Sequence, residues 1–267
     1  MARIAVVTGA SSGIGRTYAE RLAAKGMDLV LIARRADRLD ELKRDLAGHD
    51  VGVRTVVADL SNAGDVARLT TELETMSIEL LVNNAALAHY MPFAQLPAQR
   101  ARELVDLNVL APVLLTKAVI PAMVKQGRGS IINVASLLAF SGAARAPHLP
   151  NRAVYAATKA FLVTFTEILA GELAGTGVTV QVLCPGVVRT EFHSRQGIDM
   201  SQVPRMEPEQ IVAASLSDLE RGIVVSIPAL ADESTKTRFN EAALALLAPA
   251  RTAELPPCYG SSGGRSI

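Results

Sequence analysis

The chain is 267 residues long, 49% apolar and 20% charged, enough to bury a sizeable core and unlike a disordered chain. Its formal net charge of +1, with four tyrosines, six phenylalanines and no tryptophan, supplies neither the field nor the stacking surface of a nucleic-acid or acidic-membrane partner. Cys184 and Cys258 lie far apart without ligand-type neighbours, so neither a disulfide framework nor a metal site is expected, and a reducing cytosol fits.

The start, Met1-Ala2-Arg3 before a short apolar run, is too brief for a signal peptide. No stretch reads as long and apolar enough to span a bilayer, so a cytoplasmic protein without membrane contact is expected. Ile4 to Val7 reads as a strand running into Thr8-Gly9-Ala10-Ser11-Ser12-Gly13-Ile14-Gly15, followed by a helix from Arg16 to Lys25. Strand, glycine turn and helix is the order a phosphate cradle requires. Gly9 allows the tight turn, Gly13 lets backbone approach a pyrophosphate, and Gly15 lets helix pack on strand. Ser11, Ser12 and Ile14 fall inside the same cradle.

Leu29 to Ala33 forms the second strand, and its end bears on the cofactor. An acidic residue there would bind the ribose hydroxyl of NAD, whereas arginine accepts the 2′-phosphate of NADP. The sequence offers Arg34 and Arg35, so NADP(H) is preferred, with Arg34 the first candidate and Arg35 the second; the alternative is a solvated pair opening the next helix. Alternation continues with a helix from Asp37 to Ala47, a strand from Val53 to Ala58, a helix from Ala63 to Met76 and a strand from Leu80 to Val82. This βαβ repetition implies a parallel sheet. Asp59 and Leu60 follow the third strand at the edge where ligands collect; Asp59 binds adenine or caps the next helix. Asn83, Asn84, Ala85 and Ala86 close the fourth strand at the same edge, leaving room for a cofactor or tying strands together.

A long apolar helix from Ala98 to Lys125 carries Asn108, a buried amide that needs partners. It either satisfies backbone groups or holds water near a reactive lysine. The fifth strand, Ser130 to Val134, ends at Ser136. Arg145 to Pro150 then contains two prolines and reads as a loop near the site. The helix from Asn151 to Ala174 places Tyr155 and Lys159 four residues apart on one face. An ammonium beside a phenol lowers its pKa towards working pH, so the pair reads as a candidate general acid/base, with an ordinary tyrosine and lysine on a helix surface as the alternative. Strand Thr179 to Leu183 leads to Cys184, expected to be a buried and unreactive thiol. Residues 191 to 208 read as a mobile lid, Glu209 to Arg221 as a helix and Ile223 to Ile227 as a last strand. A final helix, Asp232 to Ala248, aligns Phe239, Ala242, Ala243, Leu246 and Leu247 in a stripe expected to pack on the body or a partner subunit. The organisation expected is one domain over 1–248 with a flexible tail over 249–267.

Together, Thr8 to Gly15, Asn83 to Ala85, Asn108, Ser136, the Tyr155/Lys159 pair and Pro185-Gly186 with Thr190 resemble the short-chain dehydrogenase/reductase family from about Arg3 to Ile227. The resemblance implies an α/β, Rossmann-type, doubly wound single domain with a seven-stranded parallel sheet. It implies a catalytic tetrad of Asn108, Ser136, Tyr155 and Lys159. Ser136 and Tyr155 would hold a carbonyl, Tyr155 would give the proton, Lys159 would lower the tyrosine pKa and bind the nicotinamide ribose, and Asn108 would position a water. Val188 and Thr190 would orient the carboxamide. Two departures stand out: Ala86 replaces a usual glycine, and the span from Ser136 to Tyr155 is long. His89 and His148 are candidates for substrate contact, with exposed loop histidines as the alternative.

The expected function is NADPH-dependent reduction of a ketone or aldehyde, reversible as an alcohol dehydrogenase, with an oxoacyl or polyketide-like substrate among the candidates. The alternative is a non-catalytic dinucleotide sensor or scaffold. Sugar epimerisation or dehydration on the related extended fold uses the same tyrosine and lysine, but the glycine spacing and short C-terminal portion oppose it. The family analogy also implies a homodimer or homotetramer.

Overall fold

The computed structural model describes residues 3–144 and 149–248. Arg145 to His148, Cys258 and the tail over 249–267 lie outside the described residues. Seven parallel strands form one sheet in the order β3-β2-β1-β4-β5-β6-β7: β1 Ile4–Thr8, β2 Asp28–Ala33, β3 Val53–Val57, β4 Ile78–Asn83, β5 Gly129–Val134, β6 Val178–Leu183 and β7 Val225–Ser226. The last strand is thus two residues long, where the apolar run predicted five.

The strands are apolar at nearly every position because both faces of the sheet are covered. Ala5, Val7, Leu29 and Leu31 enter the core on one face, beneath α1 (Gly13–Ala24), α2 (Ala36–Asp45) and α7 (Pro208–Glu220). Val6, Val30, Ile32 and Leu81 enter the core on the other, beneath α3 (Ala63–Glu74), α5 (Ala111–Gln126) and α6 (Ala153–Glu172). A polar tie adds to the first face: the buried Tyr18 hydroxyl bonds Ser215 Oγ at 2.5 Å, and Ser215 Oγ donates to Gln181 Oε1 at 2.6 Å. This fixes α1 against α7 and β6. The strand order reverses between β1 and β4, and the crevice at their carboxyl ends is where ligands of such sheets bind.

The helix expected over Ala98 to Lys125 is not uniform. It consists of α4 (Ala98–Val105), a π turn (Asp106–Leu110) and α5, and the Ala111 N–H bonds Asp106 O, five residues back. Pro112 has no N–H to give to the Asn108 carbonyl, and its ring crowds that oxygen; a widened turn relieves both problems.

Two helical runs, Ala98–Gln126 and Ala153–Glu172, are long and apolar enough to cross a membrane by length and composition. This corrects the expectation that no stretch reaches that measure. Their apolarity has a source in the fold, where 50% and 33% of the respective windows are buried.

The chain divides into two compact units, one ending at Pro228 and one starting at Ala229, so the first closes twenty residues before the expected boundary at 248. In the second, α8 (Ser234–Leu247) buries no residue. Its predicted stripe is exposed, Leu246 at 83%.

Candidate active site

The loop after β1 turns through Gly9 at φ 65° and Gly13 at φ 53°, a region that side chains with a Cβ rarely enter. Gly15 faces the Gly9 carbonyl and the Asn84 amide, so a side chain there has no room. Asn84 clasps the end of β1: its Nδ2 donates to Thr8 O at 2.9 Å and its backbone N–H to Thr8 Oγ1 at 2.9 Å. Ala85 N–H donates to the same hydroxyl at 3.0 Å. Asn83 is an inter-strand tie, donating to Asn133 Oδ1 at 2.9 Å and Thr116 Oγ1 at 3.1 Å. The asparagines therefore build the crevice floor, and Ala86 lies half-buried beside them.

Helix α1 starts with Ser12 at its N-cap, but no side chain caps it and its first turn holds no acidic residue. Among the described residues its first N–H groups lack a side-chain partner, unlike those of α3, which Asn62 caps through Gly64 and Asp65. Arg35 leans over this loop, donating to Ser11 Oγ at 3.1 Å and Ser12 Oγ at 3.0 Å. Arg34 points elsewhere, 3.9 Å from Asp59 Oδ2. A helix N-terminus, two positive-φ glycines and adjacent guanidiniums suit the phosphates of a dinucleotide. Asp59 does not cap α3; its Oδ1 accepts from Ser61 N at 3.0 Å and Ser61 Oγ at 2.7 Å. Leu60 and Ile14 turn their side chains to the core.

Tyr155 and Lys159 stand on one face of α6, as their spacing predicts, and both are buried, at 5% and 2% exposure. Lys159 Nζ donates to Val134 O at 2.8 Å and lies 5.8 Å from the centre of the Tyr155 ring. Burial pushes the ammonium down to about 8, against the opposing influence of the nearby Cys184. Burial pushes the Cys184 thiol up to about 12 in spite of Lys159, consistent with an unreactive strand residue.

The tyrosine departs from expectation. Burial first, and Tyr90 second, hold the Tyr155 phenol well above the ordinary range, with Ser136 hydrogen bonding in the opposite sense. The depression expected from Lys159 is not found, because Nζ is drawn to the end of β5 and the dry surroundings disfavour charge on either group. Ser136 caps the short turn Leu137–Phe140 through Leu138 N, 3.2 Å from its Oγ. Pro185 O accepts from Leu137 N at 3.0 Å, and Gly186 faces Leu137, so the strand ends of β5 and β6 are fastened beside Tyr155.

Asn108 lies in the π turn at 1% exposure. Its Oδ1 accepts from Leu87 N at 3.1 Å, while Nδ2 donates to Leu87 O at 3.0 Å and Thr158 Oγ1 at 3.2 Å. Thr158 Oγ1 in turn donates to Tyr155 O at 2.7 Å. Asn108 thus fastens the segment after β4 to the turn of α6 that bears the tyrosine.

Two neighbours of Tyr155, and a third ring packed on them, have no site role in the sequence reading. Tyr90 meets its ring edge-on at 5.4 Å, Phe192 lies at 6.1 Å, and His193 stacks on Tyr90 at 6.4 Å. The only signal for Tyr90 is an aromatic residue soon after a strand end. The neighbouring His89, a candidate for substrate contact or an exposed loop histidine by sequence, faces Glu103 at 3.4 Å, and His148 lies outside the described residues. The lid is closed at its base by a bridge between Val188 and Met206, with Val188 buried and Thr190 N–H bonded to Val188 O at 2.9 Å. A hollow of about 390 Å³ within the lid is lined by His193, Ile198, Met200 and Arg205, among others. His193 belongs to both this hollow and the ring cluster. Among the described residues no group of His, Cys, Asp and Glu suits a metal ion.

A family model described as short chain dehydrogenase matches residues 3–200. A very-long-chain 3-oxoacyl-CoA reductase of Pyrenophora tritici-repentis is 35% identical over 224 residues, 81% of this chain and 63% of the relative; the chain thus spans less than two thirds of that protein. Among solved structures, a short-chain dehydrogenase from Sphingobium yanoikuyae in complex with NADPH superimposes with a TM-score of 0.89 and 37% identity, covering 95% of this chain and 98% of the other. A bulky-bulky ketone specific alcohol dehydrogenase from Comamonas testosteroni gives 0.86 and 34%, covering 96% and 98%. With a family match over most of its length and that family's sheet beneath it, the chain belongs to the short-chain dehydrogenases, a family of NAD(P)-dependent oxidoreductases.

Proposed function

We propose that the chain is an NADPH-dependent reductase of ketone or aldehyde carbonyls, running in reverse as an alcohol dehydrogenase. The observation that carries this is the buried phenol of Tyr155, with Ser136 at its hydroxyl and Lys159 behind its ring, at the sheet edge that also holds the uncapped start of α1. The glycine loop, Arg34 and Arg35 would hold the cofactor, and the bound nicotinamide supplies a hydride. Tyr155 donates a proton to the carbonyl oxygen, which the Ser136 hydroxyl helps to position. Because burial keeps the phenol protonated, the donor form is the resting form at neutral pH. The Lys159 ammonium supplies positive charge where the phenolate develops. Asn108 holds the tyrosine-bearing turn in place. Tyr90, Phe192 and His193 exclude water and offer an apolar wall to substituents on the carbonyl. The 3-oxoacyl-CoA reductase and the ketone-specific relative support a ketone, an oxoacyl chain among the candidates.

The test is parallel titration with NADPH and NADH, with Arg34→Ala as control, followed by NADPH oxidation over a panel of ketones and aldehydes. Tighter NADPH binding that weakens in the variant, with reduction lost in Tyr155→Phe, is expected. Full activity of Tyr155→Phe would refute the proton-donor role.

A further inference from the structure

The chain passes into the lid through two consecutive residues with different contacts. Thr190 covers the glycine loop so closely that a Cβ on Gly13 would lie 2.7 Å from its methyl carbon. Glu191 reaches over the loop to the end of β2. Its Oε1 accepts from Arg35 Nη2 at 2.5 Å and its Oε2 from Arg35 Nη1 at 3.3 Å. The same Nη2 donates to Ser11 and Ser12, so one guanidinium joins lid and glycine loop. Arg195 adds a second cation, 3.1 Å from Glu191 Oε1.

A guanidinium fork matches a carboxylate and a phosphate with equal geometry. In this protein the anion already seated on Arg35, at the mouth of an uncapped helix, is a side chain of the lid. Burial works against the Glu191 carboxylate, yet hydrogen bonds from Arg35 and Ser12 and the charges of Arg195 and Arg35 outweigh it and hold its pKa below the usual range. The carboxylate is therefore ionised at neutral pH, so it meets any incoming phosphate as a like charge.

We infer that Glu191 is an internal competitor for the cofactor's 2′-phosphate: its carboxylate and that phosphate exclude one another on Arg35. Glu191 thereby sets the margin by which the protein prefers NADPH to NADH. This rests on the NADP(H) reading above. It also makes the lid a party to cofactor choice, since the phosphate can take Arg35 only when the lid's first turn lets go. Glu191 acts through Arg35 and is a positioning residue; a role in lid folding alone would alter both cofactors alike.

The experiment is equilibrium titration of wild type, Glu191→Gln and Arg35→Ala with NADPH and with NADH, read by nicotinamide fluorescence. Adenosine 2′,5′-bisphosphate and 5′-AMP serve as probes that lack the nicotinamide, and melting of each protein without ligand checks the fold. Glu191→Gln is expected to tighten NADPH and the bisphosphate by about fivefold, the scale of one partly exposed ion pair, and to leave NADH and 5′-AMP unchanged. Arg35→Ala is expected to weaken NADPH and leave NADH alone. Unchanged or weaker NADPH binding in Glu191→Gln overturns the inference, as does an equal change for NADPH and NADH. The two readings fail separately. Wild type that prefers NADPH, with Glu191→Gln unaltered, defeats the competitor alone. Wild type with no preference defeats the NADPH reading, and the competitor then stands if Glu191→Gln acquires one and falls if it does not.

Discussion

Replacing Asn108 by alanine removes three hydrogen bonds at a site 1% exposed. Each is worth about 1 kcal/mol net, and the backbone groups of Leu87 left without their partner raise the cost, so a loss of about 3 kcal/mol is expected. With a urea m-value of ~3 kcal/mol/M, the unfolding midpoint falls by about 1 M. Thr158→Val deletes the hydroxyl that links Asn108 to the Tyr155 carbonyl and supplies the second arm of a double-mutant cycle. The double variant is expected to lose about 1 kcal/mol less than the two single losses combined, because both break one contact. Urea unfolding of the four proteins at constant pH measures this. A loss below about 0.5 kcal/mol in Asn108→Ala, or strict additivity with Thr158→Val, would refute the view that Asn108 fastens α6 and leave it only a role in solvation.

The remaining predictions concern charge and assembly. Lys159 has its pKa lowered from 10.5 to about 8 by burial, so from pH 8 to 10.5 the unfolded chain holds a proton that the folded chain has released. Wild-type stability relative to Lys159→Met, which does not titrate, should therefore rise through that window, by up to about 3 kcal/mol; urea unfolding between pH 7 and 10 checks it, and a constant difference would contradict it. Leu110, Leu114, Phe161 and Ile168 stand on α6 and along the helix that carries Asn108, 41–59% exposed, which supports the proposal of a homodimer or homotetramer. Sedimentation at micromolar concentration should show that assembly, and a monomer would contradict it.

Local rules carried the sequence far in this fold. Continuous apolar runs alternating with helices specify a parallel sheet covered on both faces, and each strand end then falls at one edge, which is why Thr8, Asn83, Ser136 and Pro185 line it. Tyr155 and Lys159 share a face because helical geometry is local. What the sequence left hidden depends on contacts between distant segments. Glu191 reaches Arg35 across 156 residues, and no periodicity marks that meeting. The two arginines were ranked by position after β2, but direction decides their partners: Arg35 turns to the glycine loop and Arg34 to Asp59. The raised phenol of Tyr155 follows from burial and Tyr90, neither of which a four-residue spacing can express. Asn108 announced itself as an amide in an apolar helix, yet the π turn around it did not.

That π turn also keeps count along the helix. The ~19 residues from Leu104 to Met123 exceed by about one what five α-turns hold, yet both side chains are fully buried. In an unbroken helix the odd residue would swing the distal half by about 100° and carry part of its apolar line towards solvent. The wide turn absorbs that angle as a gearbox absorbs a mismatch between two shafts. Upstream, the helix keys to the tyrosine through Asn108; downstream, it keys to the sheet. The same five residues thus keep one register along the helix: removing any one of them would leave the ~18 residues of five regular turns, with both halves still in phase but without the wide turn that carries Asn108.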